Sequence, residues 1–248
     1  MVKLKVLDAV RLKSPESDCA YVPSQQSAFD YRVVPDLSSG QYEALLSRGW
    51  RKQGYSIFRP VCRQCRRCVS LRVDVGRFRP TKSQRRNLRK NEGVQLIVQP
   101  PTISEEHLKL FDRYHADMTE RRGWRENSTS VPEYYESFLA GEWDFAREYL
   151  YFYEDRLIAV GIVDETANSQ TSVYFYHDPD WRTAGLGTYS ILKEIEQAQL
   201  HGRSWVYLGY WISECQSMEY KANFGPHEVL LDYCNDDEEP EWIVIEGR

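Results

Sequence analysis

No apolar run in these 248 residues approaches the ~18 needed to span a bilayer. The longest, Leu157 to Val163, has the length of a buried strand. The N-terminus offers no secretion signal either, because Met1-Val-Lys-Leu-Lys leads into charged residues rather than an apolar core. Short-period repeats are missing, which removes solenoids and propellers. The cytoplasm is therefore the expected compartment. In that reducing environment the six cysteines are not expected to form a disulfide framework.

Net charge is also scarce, at −5, but this total conceals a segregation. Twelve of the 32 Lys/Arg but only one of the 37 Asp/Glu, Asp74, fall between Arg59 and Lys90. Charge sorted in this way implies an anionic partner. The same segment carries Cys62-Arg-Gln-Cys65-Arg-Arg-Cys68. Gaps of two residues let neighbouring sulfurs face one point, so Cys62, Cys65 and Cys68 are candidate metal ligands, with Cys19 as the economical fourth. Buried thiols without a metal are the alternative. Cys215 and Cys234 are isolated and read as core residues. His107 and His115 fall on a predicted long helix and are less attractive as ligands.

The chain reads as α+β. Lys3 to Leu12 alternates as a strand, and Ser14 to Pro35 reads as a loop. Ser38 and Gln41 have capping-box spacing for a helix to Arg48. Arg51 to Arg59 alternates as one half-buried strand. Thr81 and Gln84 cap a second helix to Glu92, on which Lys82, Arg85, Arg86, Arg89 and Lys90 form one broad cationic side. Val94 to Gln99 is a strand. Thr102 with Glu105 caps a long helix to about Arg122, with Leu108, Phe111, Tyr114, His115 and Met118 on one stripe. Tyr149 to Tyr153 and Leu157 to Val163 make a hairpin, followed by a strand from Ser172 to His177. A helix from Leu186 to His201 turns Ile191, Leu192, Ile195 and Ala198 inward, and Trp205 to Trp211 is the next strand. The acidic run Asp236 to Glu241 reads as a solvated tail. Tyr55, Phe58 and Phe78 flank the basic segment and are candidates to stack on unpaired bases.

Between strand and helix lies Arg182-Thr-Ala-Gly185-Leu-Gly187-Thr188. Glycines there let backbone amides approach a ligand, and the helix N-terminus favours a phosphate or a developing oxyanion. Antiparallel strands before the turn argue against a dinucleotide-binding fold, which needs a strand, turn and helix opening a parallel sheet. The turn resembles the acyl-donor motif of GNAT-type N-acyltransferases. An acetyl-CoA-dependent N-acetyltransferase would explain this turn but not the basic segment. A non-enzymatic, metal-stabilised RNA-binding module would explain the basic segment and leave the second half idle.

Taken together, the motifs resemble the bacterial aspartate/glutamate leucyltransferases, relatives of the eukaryotic arginyl-tRNA–protein transferases. The resemblance rests on Cys19-Ala-Tyr-Val-Pro23, Gly49-Trp-Arg51, Arg59-Pro-Val-Cys62 with Cys65 and Cys68, Arg72-Val-Asp-Val, Phe78-Arg-Pro80 and Ser83-Gln-Arg-Arg86. It continues in Gly185-Leu-Gly-Thr-Tyr189, Tyr207-Leu-Gly-Tyr-Trp-Ile212 and Met218-Glu-Tyr-Lys-Ala222-Asn-Phe224. It implies a GNAT-like aminoacyltransferase domain over 76–248, with a smaller cysteine-containing α/β domain over 1–75. It also implies transfer of leucine from Leu-tRNA to the α-amine of proteins beginning with Asp or Glu, marking them for N-degron degradation; arginine is the alternative donor. No cofactor is required for transfer on this reading, while the cysteines remain candidates for an iron–sulfur cluster or zinc. Arg182, Gly185, Gly187 and Thr188, with Lys82, Arg85, Arg86 and Arg89, are expected to hold the aminoacyl-tRNA. Tyr210, Trp211, Tyr220 and Lys221 are expected to line the reaction cleft. Arg66, Arg67 and Arg72 are expected to meet the acidic N-terminus of the acceptor.

Overall fold

The computed structural model describes residues 9–246. A small sheet comes first in the chain. It contains β1 (Val10–Lys13), β4 (Phe29–Val33), β5 (Arg51–Gln53) and β6 (Ser56–Pro60), in the order β1-β4-β6-β5, while β2 (Ser17–Asp18) and β3 (Gln26–Ser27) pair by themselves. The expected strand over Lys3 to Leu12 is described only from Val10, and the residues before 9 lie outside the described ones. The expected loop over Ser14 to Pro35 instead contains β4, paired with both β1 and β6. Arg51 to Arg59 is a hairpin rather than one strand. Gly54 turns it at φ +53, against the Glu136 carbonyl, where any Cβ would lie 2.1 Å from the oxygen. Helix α1 (Ser39–Ser47) carries the Ser38/Gln41 capping box and buries Tyr42, Leu45 and Leu46.

The large sheet has eight strands in the order β14-β13-β7-β12-β11-β10-β9-β8. Its members are β7 (Val69–Asp74), β8 (Gln95–Gln99), β9 (Ala146–Tyr153), β10 (Arg156–Glu165), β11 (Ser169–His177), β12 (Trp205–Trp211), β13 (His227–Leu230) and β14 (Trp242–Ile245). Helices α2 (Lys82–Lys90), α3 (Glu105–Arg122), α4 (Val131–Tyr134) and α5 (Leu186–Leu200) complete the chain. The 3-10 turns Pro179–Ala184 and Glu219–Asn223 flank α5 and β12. Among the described residues no helix is long and apolar enough to cross a membrane.

Side-chain chemistry explains these choices. Thr81 and Gln84 close the capping box of α2. The cap of α3 is Ser104 rather than Thr102, whose hydroxyl donates instead to buried Glu148 at 2.7 Å. On α5, Ile191, Leu192, Ile195 and Ala198 are all buried against Leu71, Val73 and Val206 of the sheet. Fully burying each large aliphatic among them contributes about 1.5–3 kcal/mol. Helix α3 covers the opposite face through Leu110 and Phe111.

The expected α+β architecture is present, but the two parts are woven together. Strand β7 lies on the N-terminal side of the expected boundary at residue 75, yet it pairs with β12 and β13 inside the large sheet. The covalent crossing between the sheets is therefore the cysteine loop, residues 61–68. A shared core holds Trp50, Tyr42 and Leu45 against Phe145 and Tyr207 of the large sheet. The acidic run is not merely a solvated tail: Asp236 accepts two hydrogen bonds from Arg32, at 2.8 and 3.0 Å, and β14 returns to pair with β13.

Candidate active site

Strands β11 and β12 are parallel, yet they pair only from Ser169–Thr171 to Trp205–Tyr207. Beyond that point β12 follows β7, and a bulge between Tyr207 and Gly209 re-aims it. The remainder of each strand, Ser172–His177 and Leu208–Trp211, diverges and leaves main-chain groups facing a cleft. Gly209 sits there at φ +82, with Lys221 Nζ 3.5 Å and Arg51 Nε 3.9 Å from where a Cβ would stand.

Lys221, on the 3-10 turn after β12, donates to the Tyr210 carbonyl at 2.7 Å. Burial and then the Arg51 guanidinium, with Cys215 opposing, lower its amine to about 8. Tyr220 is 39% exposed, and burial followed by Glu194 and Tyr114 pushes its phenol up to about 12. It therefore stands within electrostatic reach of both α5 and α3. At the vertex of the cleft the Ser172 hydroxyl donates to buried Glu194, whose carboxyl is raised by burial to about 7. The Tyr210 hydroxyl faces away, toward the carbonyls of Gly49 (2.9 Å) and Phe58 (3.0 Å), and so fastens β12 to the small sheet. Trp211 packs on the α5 side of the sheet and against His227. Of the four residues expected to line the cleft, Lys221 stands beside Gly209 and the Tyr210 carbonyl, and Tyr220 is partly exposed on the same 3-10 turn.

The glycine turn and the basic helix form one unit. Asn87 donates to the carbonyls of Ala184 (3.0 Å) and Gly185 (3.1 Å), Asn91 to Ala184 (3.0 Å), and Lys90 to Thr183 (2.6 Å). These bonds pin α2 across the start of α5. Lys82, Arg85, Arg86 and Arg89 remain exposed beside that helix N-terminus. Gly187 has nothing within 4 Å of its added Cβ position, and Thr188 follows it, half-buried. Arg182 is already engaged by Asp117. Phe78 is buried against Phe224 and is not available to stack on a base, whereas Tyr55 is 46% exposed.

The cysteine loop borders this cleft. Cys68 is raised to about 12 by burial and then by Cys62, Cys19, Cys65 and Cys215, so five of the six cysteines gather there as thiols. Among the described residues no group of three or more His, Cys, Asp or Glu side chains is arranged to hold a metal ion. The Cys62 thiol turns inward to the Ala28 carbonyl (3.8 Å), and Cys19 Sγ accepts from the Val22 amide (3.4 Å). Cys215 and Cys234, expected in the core, are only half-buried. Arg66 and Arg67 are exposed. Arg72 is not a free cation, because it pairs with Glu228 and lies 3.8 Å from the Trp205 ring centroid and 4.0 Å from that of Trp242.

Glu194, Ser172, Asn87 and Arg51 went unrecognised in the sequence. Glu194 was the most findable, as a carboxylate set within the apolar stripe of α5.

Residues 17–86 match the family model described as "Arginine-tRNA-protein transferase, N terminus", and residues 106–231 match "Arginine-tRNA-protein transferase, C terminus". A Helicobacter hepaticus protein named "Aspartate/glutamate leucyltransferase" is 37% identical over 96% of this chain and 99% of its own length. One of the same name from Alkalilimnicola ehrlichii is 39% identical over 87% of this chain and 90% of its own. The solved structure of FemX aligns with a TM-score of 0.46 and 9% identity, over 81% of this chain and 79% of that one. With both halves of the pattern matched, and relatives aligned nearly end to end, the chain belongs to the arginine-tRNA-protein transferase family, among its aspartate/glutamate leucyltransferases.

Proposed function

We propose that this enzyme moves leucine from Leu-tRNA to the α-amine of proteins that begin with Asp or Glu, and that the added residue marks them for degradation. The observation that carries this reading is the pinning of cationic α2 to the glycine turn of α5, beside the β11/β12 cleft. A polyanion held on α2 would deliver its 3′ end to the N-terminus of α5, beside the diverged strands.

The chemistry asks little of a base. An α-amine titrates near ~7.7–8, so a useful fraction is neutral at physiological pH, and an aminoacyl ester is already activated. The amine nitrogen bonds to the ester carbonyl carbon, the C–O bond to the ribose breaks, and the amine's proton ends on the departing ribose oxygen. The enzyme must mainly align the two substrates and stabilise the oxyanion. Unpaired β11/β12 amides and the Lys221 ammonium are the groups we assign to that oxyanion. Gly185, Gly187 and Thr188, with Lys82, Arg85, Arg86 and Arg89, are assigned to the aminoacyl-tRNA. We propose a division of labour along the 1–75 and 76–248 halves, with β7 moved to the second. No step is routed through a metal or cluster at the cysteines.

The test is a transfer assay with purified protein, labelled Leu-, Arg- or Phe-tRNA, and peptides beginning with Asp, Glu, Arg or Ala. Leucine should appear on the Asp and Glu peptides. Transfer from Arg-tRNA alone, or from acetyl-CoA, would overturn the assignment.

A further inference from the structure

Four buried or half-buried cations are matched by carboxylates: Arg32 by Asp236, Lys52 by Asp164, Arg72 by Glu228 and Arg203 by Glu165. Among the described residues, three buried arginines have no carboxylate within salt-bridge distance: Arg48, Arg51 and Arg59. Arg59 differs from the other two because it lines a cavity. That cavity, of about 160 Å³, lies under the cysteine loop, with Cys62, Cys68, Arg66, Asp232 and Tyr233 among its walls.

The Arg59 side chain is held rigidly. Its guanidinium carbon lies 4.4 Å from the Trp50 ring centroid, and Nη1 donates to the Cys234 carbonyl at 2.8 Å. Its Nε is buried without a partner. Burial, and then the charge of Arg32, lower its affinity for a proton, with Asp30 and Asp236 opposing from beyond salt-bridge distance, and the net shift is downward. A buried guanidinium in this state favours an anion that can reach it. The charges lining the cavity are two guanidiniums and one carboxylate, Asp232. Their sum is one positive charge, which suits a single carboxylate.

The size agrees. One water needs about 10–15 Å³ of such a cavity, so about 160 Å³ has ample room for a short carboxylate side chain. It also adjoins the reaction cleft. Tyr233 donates to the Cys68 carbonyl, its ring centroid is 6.4 Å from that of Tyr210, and the Tyr210 carbonyl holds Lys221. The cavity and the cleft are therefore neighbours through Tyr233 and Tyr210.

We propose that Arg59, assisted by Arg66 at the mouth, reads the acceptor's first side chain by taking its carboxylate into the cysteine-loop cavity. This deepens the transfer reading given above and rests on it. The expectation that Arg67 and Arg72 serve the acceptor gives way to Arg59.

The test uses the full chain with labelled Leu-tRNA and peptides beginning with Asp, Asn, Glu or Gln. Arg59→Gln should raise KM for the Asp peptide at least 30-fold and collapse the Asp-over-Asn preference. Its Kd for Leu-tRNA and its rate on saturating Asn peptide should stay within threefold of the parent. An unchanged preference in the folded variant overturns the proposal. So does a comparable loss of Leu-tRNA affinity, which would mean that the cavity holds a phosphate. Asp232→Asn covers the case in which Arg59→Gln does not fold. Asp232 is exposed, and its loss should tighten Asp and Glu peptides several-fold without affecting Asn and Gln peptides; no change overturns the proposal. Fluorescence titration of the same peptides, without tRNA, reads the cavity directly. A parent that transfers nothing yet binds Asp over Asn would sink the transfer reading and leave the cavity assignment standing.

Discussion

Substitution of the two glycines at the start of α5 separates a structural role from a functional one. Gly185 adopts φ +69, and a Cβ there would lie 2.8 Å from Asn87 Nδ2. An alanine in that left-handed conformation costs about 1–2 kcal/mol. Displacing the Asn87 amide removes one or both of its bonds to the Ala184 and Gly185 carbonyls, at about 1 kcal/mol each. Gly185→Ala should therefore lose roughly 2–4 kcal/mol of stability, and α2 should loosen from the turn. Gly187 has no positive φ and meets nothing within 4 Å. Gly187→Ala should hold or gain stability, by up to about 1 kcal/mol, because alanine is the better helix former. Its methyl would nonetheless occupy the open face where a ligand approaches the α5 amides, and single-turnover transfer should fall at least tenfold, about 1.4 kcal/mol. Urea unfolding, filter binding of Leu-tRNA and single-turnover transfer measure the three quantities. Wild-type transfer by Gly187→Ala would refute placement of the aminoacyl end at α5. Wild-type stability in Gly185→Ala would refute the strain argument.

Lys221→Met should reduce transfer more than 100-fold, and transfer by the parent should decline above pH 8 as the Lys221 ammonium is lost. Stability should move the other way. The folded amine titrates near 8 and the unfolded one near 10.5, so the unfolded chain binds more protons in between and stability rises over that window. Urea midpoints at pH 8 and pH 10 should show the rise in the parent and not in Lys221→Met. Arg72→Ala should cost roughly 1–3 kcal/mol, since it leaves half-buried Glu228 without its cation; the Asp-over-Asn preference should stay unchanged, and a selective loss of acidic acceptors would contradict the structural role. Replacing Lys82, Arg85, Arg86 and Arg89 with Ala should leave the circular dichroism spectrum unchanged, because all four are exposed. Log Kd for Leu-tRNA against log salt should become shallower by about 3, at roughly 0.7–0.9 per phosphate contact.

Local signals in the sequence marked the helices well. Capping boxes at Ser38 and Thr81, the inward stripe of α5 and the alternating 149–163 hairpin all rest on residues within one or two turns of each other. Long-range pairing left no such trace. Val69 to Asp74 reads as the last strand of a small domain, and only its partners at 205–211 and 227–229 draw it into the large sheet. The glycine turn and the basic helix were both readable, but not their union, because Asn87 and Asn91 look like ordinary polar residues on a charged helix. Gly54 was hidden within a continuous alternation, since a period of two passes unchanged through a tight hairpin. The cleft itself arises from the loss of pairing after Thr171, which no residue pattern announces.

The segregated positive charge that stands out in the sequence does not form one surface. Folding gives its arginines three fates. Arg72 is consumed by Glu228 and two indole rings. Lys82, Arg85, Arg86 and Arg89 stay in water along α2, where each is screened, and Arg85 is tied only to the Pro80 carbonyl. Arg59 is buried, held by Trp50 and Cys234, and set against a cavity of carboxylate size. A mobile, screened array suits a polyanion, whose affinity sums over many weak contacts, but it cannot distinguish Asp from Asn on a peptide. A single desolvated guanidinium does the opposite, because an uncharged isostere leaves it uncompensated at a cost that water cannot offset. The tRNA and the acidic N-terminus therefore need not compete for the same cations. On the proposed assignment the cysteine loop, by bridging the two sheets, holds the discriminating charge in its cavity, while the charges assigned to tRNA lie on a separate helix.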